Sequence, residues 1–430
     1  METLTAAGRG VCGGRITHSR CQKPLALVLI TVFALSGVRA AYAVGLTATI
    51  TVGYSPIGIA YDSGKGEVFV ANSGAAGVGG FNATSEAGAD TVSVISDNTN
   101  SVIATIKMGV SVDELTYDSG KGEIFVSAEA ANNISVISDS TNAVVASILV
   151  GTYPRALAYD SAKGEVFVAN DEDNTVSVIS DATNRVVANV SIAETVVNGP
   201  GTNPIGLAYD SARGEIFVAD SGDNTISVIS DSNNTVVKTI DLPSQMIQPN
   251  RVAYDPAKGE IFATVADNMV LVLSDSTGAV VATVTGGNLG LAYDSGTGEM
   301  FVAAANDISV ISDSTNAVIA TVHLPQIDNY ARPWSLAYDP AKGEVFVTNY
   351  ELNTVSVISD SSGTAALSGS STTSTSPSGT STAPTSSTSK PSSASGGGGI
   401  PEFPYQLPVA AVFAALVVVS YLLVKRRPFK

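Results

Sequence analysis

Two observations in the sequence predict an all-β fold, a seven-bladed β-propeller made of four-stranded blades. The first is a Tyr-Asp pair, followed closely by Gly-Glu and an apolar run, that occurs seven times at intervals of 39 to 56 residues. Repeats of about 40–45 residues with short β-type segments are typical of propeller blades. The seven pairs begin at Tyr61, Tyr117, Tyr159, Tyr209, Tyr254, Tyr293 and Tyr338.

The second observation is that each repeat contains four short runs rich in Val, Ile, Phe and Tyr, bounded by Gly, Asp, Asn or Ser. Such runs are typical of antiparallel strands joined by tight turns. Gly164 and Asn184 stand where hairpin turns need residues that tolerate positive φ. In the clearest repeat we predict strands a to d over 154–160, 165–170, 175–181 and 185–192.

The two ends of the repeat region complement each other. The last strand c, at 354–360, is followed by no strand d, whereas a spare d-like run at 46–53 precedes the first strand a. We therefore predict that the N-terminal strand completes the seventh blade and that the propeller covers 44–360. Such closure removes the sheet edges that an open array would expose.

A small residue precedes each repeated tyrosine, as Ala60 precedes Tyr61. This composition suits the innermost strand, because the blades crowd together around the axis. We predict that the repeated Tyr and Phe pack between neighbouring blades. The Tyr-Asp aspartates, such as Asp62, are predicted to be structural rather than catalytic.

The segments Val-Phe-Val-Ala-Asn at 68–72 and 166–170 and Val-Phe-Val-Thr-Asn at 345–349 resemble YVTN repeats. Recurring Pro-x-x-Leu/Ile-Ala-Tyr-Asp and Thr-Val-Ser-Val-Ile-Ser-Asp segments extend this resemblance over 46–360. Members of the YVTN-repeat β-propeller family look like extracellular surface-layer or cell-envelope proteins, many of them archaeal. The resemblance therefore implies a role at the cell surface.

The segments that flank the repeats predict that the protein is secreted and stays attached to the membrane. Residues 1–43 combine basic residues, an apolar run and Ala-Tyr-Ala at 41–43, as a secretory signal peptide does; a retained N-terminal membrane anchor is the alternative. Both cysteines, Cys12 and Cys21, lie in this segment, so the mature chain would have no disulfides and no thiol chemistry. Residues 361–399 are rich in Ser and Thr and predict a flexible, O-glycosylated stalk.

The last segment, 400–430, predicts an anchor. Residues 408–424 are apolar enough to span a bilayer, and the basic residues at 425–427 would place the C-terminus in the cytoplasm with the propeller outside. Residues 400–404 resemble the Pro-Glu-Phe motif of archaeal C-terminal sorting signals. That resemblance implies an alternative, in which the hydrophobic tail is removed and the protein is attached to lipid.

The net charge of the repeat region and stalk limits the classes of molecule that the protein could bind. Residues 44–399 hold 37 acidic and 13 basic side chains, a net charge of −24, and such a surface repels nucleic acid. We expect other envelope or surface-layer proteins, or glycans, as partners, and contact with the membrane through the C-terminal helix. Four sequons are candidates for N-glycosylation, at Asn82, Asn133, Asn189 and Asn233.

Length variation among the repeats falls in the b–c and d–a loops, which share one face of the propeller. Variable loops on a rigid scaffold are where binding usually resides, and the residues before each strand a would surround the mouth of the central channel on this face. The repeats differ there, which predicts a polar binding pocket; the alternative is a set of salt bridges that covers the channel end. The candidate residues are Asp113, Glu114, Arg155, Asn250, Arg251 and Trp334.

Two b–c loops offer oxygen ligands for calcium, with Asp171 and Asp173 in one and Asp220 and Asp223 in the other. The alternative is that these aspartates are ordinary turn residues. Calcium is the only cofactor that the sequence suggests.

Catalytic signals are weak in this chain. The one histidine beyond residue 43 is His323, and no nucleophile elbow, phosphate loop or HExxH motif occurs. Asp113 and Glu114 are predicted to make a poor acid–base pair, because neighbours on a strand point to opposite faces. We therefore predict a cell-surface component or binding scaffold. The alternative is an extracellular lactonase- or lyase-like enzyme, which would need buried, metal-bound acidic residues at the channel mouth.

Overall fold

The structure, a computed structural model, describes residues 44–74, 90–192, 202–243, 248–327 and 330–360. Within these ranges, 28 strands form seven antiparallel sheets of four strands each. Successive sheets contact each other along the chain, and the last contacts the first. The predicted seven-bladed propeller is therefore confirmed.

The first strands of neighbouring blades lie closest to one another, which makes them the innermost strands, as predicted. These innermost strands are β2 (Pro56–Asp62), β6 (Leu115–Asp118), β10 (Pro154–Asp160), β14 (Pro204–Asp210), β18 (Pro249–Asp255), β22 (Leu291–Asp294) and β26 (Pro333–Asp339). The second strands are β3 (Glu67–Asn72), β7 (Glu123–Ala128), β11 (Glu165–Asn170), β15 (Glu215–Asp220), β19 (Glu260–Val265), β23 (Glu299–Ala303) and β27 (Glu344–Asn349). A single 3₁₀ turn, Glu129–Ala131, follows β7.

The third strands are β4 (Thr91–Ser96), β8 (Asn133–Ser138), β12 (Thr175–Ser180), β16 (Thr225–Ser230), β20 (Met269–Ser274), β24 (Asp307–Ser312) and β28 (Thr354–Ser359). The outer strands are β5 (Ser101–Lys107), β9 (Ala143–Leu149), β13 (Arg185–Ser191), β17 (Thr235–Asp241), β21 (Val280–Thr285) and β25 (Ala317–His323), with β1 (Gly45–Thr51) in the seventh blade. The turns carry the expected residues, since Gly164 has φ 67° and Asn184 has φ 51°.

The N-terminal strand closes the ring as predicted. The seventh sheet has the order β1-β28-β27-β26, and Ile50 of β1 lies opposite Val355 of β28. The closing strand covers Gly45–Thr51, slightly shorter than the predicted run at 46–53. Pairing with β1 gives β28 a neighbour on both sides, so the last described strand is not a sheet edge.

The hydrophobic core lies between the blades rather than inside any one of them. Phe217 of the fourth blade packs in one cluster with Ile261 and Ala263 of the fifth, and the same arrangement recurs at each of the seven junctions. The phenylalanine of every second strand is almost completely buried. The predicted inter-blade role of these residues is therefore confirmed.

The repeated tyrosine and aspartate form a second set of inter-blade contacts. The hydroxyl of Tyr117 interacts with the carboxylate of Asp62 in the preceding blade, and Tyr61 interacts with Asp339 across the ring closure. The five other pairs are Tyr159 with Asp118, Tyr209 with Asp160, Tyr254 with Asp210, Tyr293 with Asp255 and Tyr338 with Asp294. All seven aspartates are fully buried. Their role is structural, as predicted.

Each Tyr-Asp aspartate also shapes the turn that follows it. The Oδ1 atom of Asp62 accepts hydrogen bonds from the backbone N–H groups of Gly64 (2.8 Å) and Lys65 (3.2 Å). Lys65 then reaches the next blade, where its Nζ lies 3.6 Å from a carboxylate oxygen of Asp139. A single exposed ion pair contributes little, but this one joins two blades at a position that most repeats share.

Several predicted segments lie outside the described residues. They are the signal peptide at 1–43, the stalk at 361–399, the sorting motif and membrane helix within 400–430, and the sequon at Asn82. In the part of the chain that the structure describes, no helix has the length and apolar character needed to cross a membrane.

Replacing Ile50 by alanine tests the closure. Ile50 is 5% exposed in β1 and packs against both the seventh and the first blade. We expect Ile50→Ala to lower the free energy of unfolding by about 2–4 kcal/mol, because it leaves a cavity at the closing junction. Thr49→Ala, on the exposed side of the same strand, is the control for chemical denaturation. Equal effects of the two variants would contradict the closure.

The tyrosine ring predicts a loss of stability at high pH. Burial, and then the Asp62 carboxylate, raise the pKa of Tyr117 in the folded protein. Its contribution is therefore complete below the unfolded pKa of about 10 and is lost as the pH rises above it. We expect the stability advantage of wild type over Tyr117→Phe to shrink between pH 9 and 11. An advantage that does not change with pH would show that this phenol does not titrate differently on folding.

Candidate binding site at the channel mouth

Four of the six predicted mouth residues line one cavity of about 190 Å³: Arg155, Asn250, Arg251 and Trp334, with Leu289 and Gly290. They come from the innermost strands of the third, fifth and seventh blades, and from the chain just before β22. The repeat pattern therefore brings together residues that are up to about 180 positions apart in the sequence.

The prediction that these residues precede strand a is wrong for five of the blades. In β10 the pairing shifts register between Pro154 and Leu157, so that Arg155 and Ala156 lie inside the strand, in the irregular part of the ladder. The same shift follows the first proline of β2, β14, β18 and β26. A register irregularity of this kind re-aims side chains. The Pro-x-x segment thus explains why the two variable residues of each such repeat lie at the channel mouth.

Asp113 and Glu114 lie directly before the innermost strand of the second blade, as the sequence predicts for the mouth residues. They precede β6, which begins only at Leu115, so the alternation of a strand does not apply to them. Both are more than 90% buried. The Oε1 atom of Glu114 accepts a hydrogen bond from Nη2 of Arg251 at 2.7 Å, and the two residues form a buried ion pair.

Three acidic residues, Asp113, Glu114 and Glu129, influence one another electrostatically at the mouth. Burial raises the pKa of Asp113 well above its usual value, and the negative charges of Glu114 and Glu129 raise it further. Burial also raises the pKa of Glu114, although Arg251 opposes that rise. The mouth therefore carries less negative charge than its acidic residues suggest.

Arg155 is held by acidic residues on two sides. Its Nε lies 3.0 Å from Oδ2 of Asp171 and 3.5 Å from Oε1 of Glu129. Its guanidinium also lies over the ring of Tyr153, 5.2 Å from the centroid. The salt bridges of the alternative prediction are thus present, and a cavity remains beside them.

An aromatic and cationic stack stands next to the cavity. The rings of Trp334 and Tyr350 lie 5.7 Å apart at 35°, and the guanidinium of Arg332 lies 5.4 Å and 5.0 Å from their centroids. Arg332 also forms an ion pair with Glu351 at 3.1 Å. These contacts hold the part-exposed indole of Trp334 in one position.

Sequence reasoning missed three residues of this site, Glu129, Arg332 and Tyr350. Glu129 and Tyr350 directly follow the second strand of their blades, where Ser73 and Ser221 stand in other repeats. A comparison of this position across the repeats, in the same way as the Pro-x-x position, would have found them. Arg332 stands directly before the first proline of its innermost strand, where Tyr153 and Gln248 stand in other repeats, so the same comparison would have found it.

The structure gives the calcium candidates other contacts. Both oxygens of Asp171 have partners, since Oδ1 accepts a hydrogen bond from Asn203 at 2.8 Å and Oδ2 faces Arg155. The carboxylate of Asp173 accepts a hydrogen bond from the backbone N–H of Thr152. Among the described residues, no group of three or more His, Cys, Asp or Glu side chains is placed to hold a metal ion. Calcium binding at these residues and at Asp223 stays a prediction.

Asp220 is a buried carboxyl at a position where three other blades have asparagine. In the third blade, Nδ2 of Asn170 donates hydrogen bonds to the hydroxyls of Thr175 and Ser177. In the fourth, the hydroxyls of Thr225 and Ser227 donate to Oδ2 of Asp220, at 3.2 and 2.6 Å. Burial raises the pKa of Asp220 to about 7, although these hydrogen bonds oppose the rise.

The other end of the innermost strands differs from the mouth. A cavity of about 430 Å³ is lined there by the repeated tyrosines Tyr61, Tyr117, Tyr293 and Tyr338 and by small turn residues. Residue identity is repeated from blade to blade at this end, whereas it changes from blade to blade at the mouth.

The described sequons occupy different surroundings. Asn233 lies exposed in a hairpin turn, and its Oδ1 accepts a hydrogen bond from the hydroxyl of Thr235 at 2.8 Å. Asn133 begins β8, and its side-chain oxygen is buried. Asn189 lies on the outer strand β13, where its Oδ1 accepts a hydrogen bond from Ser177. Asn189 and Asn233 are both exposed, whereas Asn133 is partly buried, so the first two are the more accessible to a glycosylating enzyme.

Comparison with solved structures supports the propeller fold. The hydrazine synthase of Kuenenia stuttgartiensis matches with a TM-score of 0.60 and 16% sequence identity, over 73% of this chain and 98% of that chain. At this identity the likeness concerns the fold alone. Neither the family models nor the curated proteins give a match, so the YVTN resemblance stays a prediction.

Replacing Asp220 by asparagine tests the buried carboxyl. Its folded pKa of about 7 lies above the unfolded value of about 4, so the contribution of Asp220 to stability decreases as the pH rises from 4 to 7. We expect Asp220→Asn to raise the free energy of unfolding at pH 8 by at least about 1 kcal/mol and to have a smaller effect at pH 4. Asp241→Asn, at an exposed position, is the control. A gain for Asp220→Asn that is independent of pH would contradict the raised pKa.

Proposed function

We propose that this protein is a cell-surface, membrane-anchored propeller that binds an envelope partner, a surface-layer protein or a glycan, through its channel mouth. One observation carries the proposal: the residues at which the repeats differ most converge on a polar cavity at one end of the channel. The opposite end is built from repeated residues that connect the blades.

The contrast between the two ends favours binding over a purely structural coat. A scaffold that only had to cover its channel could repeat one plug residue in every blade, as it repeats Tyr at the other end. Instead, three blades supply Arg155, Asn250 with Arg251, and Trp334, and the loops around them vary in length. Variable residues on a rigid frame are the usual arrangement of a binding surface.

The surface location rests on the sequence. The predicted signal peptide, the Ser/Thr-rich stalk and the apolar segment before a basic end together support an exported and anchored protein. The resemblance to YVTN-repeat proteins points to the same compartment. The strongly acidic segment 44–399 argues against nucleic acid as the partner.

The enzyme alternative would need buried, metal-bound acidic residues at the mouth. Asp113 and Glu114 are buried there, but among the described residues no group of three or more His, Cys, Asp or Glu side chains is placed to hold a metal ion. His323 is largely exposed on the outer strand β25, where its Nδ1 lies 2.8 Å from Asp307. It is therefore not one of the residues that line the mouth cavity. The distant likeness to a hydrazine synthase concerns the fold and says nothing about catalysis here.

Mass spectrometry of the protein from its native envelope tests the proposal. We expect an N-terminus near Val44, a glycan on Asn233, and cross-links from mouth residues such as Glu129 and Glu351 to envelope components. Carboxyl-directed cross-linking suits this acidic surface. Glu165, in the a–b turn region of the opposite face, is the internal control and should give fewer cross-links. An intact N-terminus, unmodified Ser and Thr, and no envelope partner would contradict the proposal.

A further inference from the structure

We propose that the mouth cavity takes a single uncharged sugar ring, the terminal unit of a glycan. This inference rests on the proposed function, since it names the class of ligand that the mouth would bind. Four features of the cavity support it: its size, its aromatic wall, its mixed hydrogen-bonding groups and its balance of charge.

The size of the cavity limits the ligand. The cavity has a volume of about 190 Å³. One pyranose ring occupies a space of this order, and a longer saccharide would place only its terminal ring in the cavity. The cavity would therefore hold one terminal sugar, with the rest of the glycan leading out over the variable loops.

Trp334 gives the cavity one flat apolar wall. The indole is partly exposed and is fixed by Tyr350 and Arg332. The C–H groups on one face of a pyranose pack on an aromatic ring, to which they present weakly positive hydrogens. Because the ring is held in advance, little side-chain entropy is lost on binding.

Asn250 and Arg251 supply polar groups in fixed positions. Nδ2 of Asn250 donates to the backbone oxygen of Asn288 at 2.9 Å, which leaves its carbonyl oxygen as an acceptor. Arg251 donates from Nη1 to the backbone oxygen of Ile205 and from Nη2 to Glu114, both at 2.7 Å. A guanidinium has five N–H donors, so further donors remain. Sugar hydroxyls both donate and accept, and they match this mixture.

The charges of the site favour a neutral ligand. Arg251 is already paired with Glu114, and Arg155 is paired with Asp171. A uronate or phosphate would have to compete with these pairs, of which Arg251–Glu114 is the more buried, and would approach the carboxylate of Glu114. A cationic ligand would meet the two guanidinium groups. An uncharged sugar ring neither competes with the ion pairs nor is repelled by the guanidinium groups.

The test uses the full-length protein, solubilised in a detergent that has no sugar headgroup. The probes are the methyl glycosides of glucose, mannose and galactose, with methyl glucuronide as the charged counterpart. Trp334 is the only tryptophan of the chain, so its fluorescence reports occupancy of the cavity directly. Saturation-transfer NMR measures the same binding in variants that lack the indole.

We expect at least one neutral glycoside to change the fluorescence emission of Trp334 in a saturable way. Methyl glucuronide should bind at least about tenfold more weakly, because its carboxylate must disturb the ion pairs of Arg251 and Arg155. Trp334→Ala should weaken binding by at least about tenfold, and Trp334→Phe by less. Tyr330→Ala, which removes an aromatic ring 64% exposed elsewhere on the same face, should leave binding within about twofold.

The outcomes separate this inference from the proposed function. Tighter binding of the glucuronide, or equal effects of Trp334→Ala and Tyr330→Ala, would overturn the sugar assignment. Absence of binding by every neutral glycoside would also overturn it. If envelope cross-links at the mouth were still found, the proposed function would stand without the sugar. If those cross-links were absent as well, both would fall.

Discussion

The antiparallel ladder between β1 and β28 is the interaction on which the rest of the molecule depends. It joins the first described strand to the last and completes a blade that would otherwise have three strands. Ile50 of β1 packs in one buried cluster with Ile59 of the first blade and Val355 of the seventh, so the ladder also links these two blades. Because the core lies between blades, each blade is stable only when both of its neighbours are present. The channel mouth, assembled from three separate blades, exists only in the closed ring.

The two ends of the channel differ in how much the repeats vary in sequence. At one end, the Tyr–Asp contacts and the Lys-to-Asp ion pairs connect one blade to the next, and the sequence is nearly invariant from copy to copy. At the other, the register shift after the first proline releases two residues from the regular ladder in β2, β10, β18 and β26, and one in β14. These residues are not needed for pairing, so they can change without loss of the sheet. The same repeat thus supplies a constant frame and a variable site.

The number of blades, the closure and the strand limits could be predicted because they depend on local, repeated patterns of apolar residues and turn residues. The location of the variable residues at the mouth followed from the same repeat. Their contacts did not, because Arg251 and Glu114 are 137 residues apart and meet only through the geometry of the ring. Asp113 lies outside a regular strand for a local reason: its blade lacks the Pro-x-x segment, so β6, like β22, starts later than the five other innermost strands.

The position of β28 has a mechanical consequence. Any pull on the chain beyond residue 360 enters the propeller at the end of β28, which is held on one side by β27 and on the other by β1. A strand at a sheet edge could be peeled away by breaking one ladder. Here the ladders of β28 with β27 and with β1 must break together, so the force acts on both the first and the last described strands. The closing strand β1 therefore increases the mechanical resistance of β28, the strand on which such tension would act first.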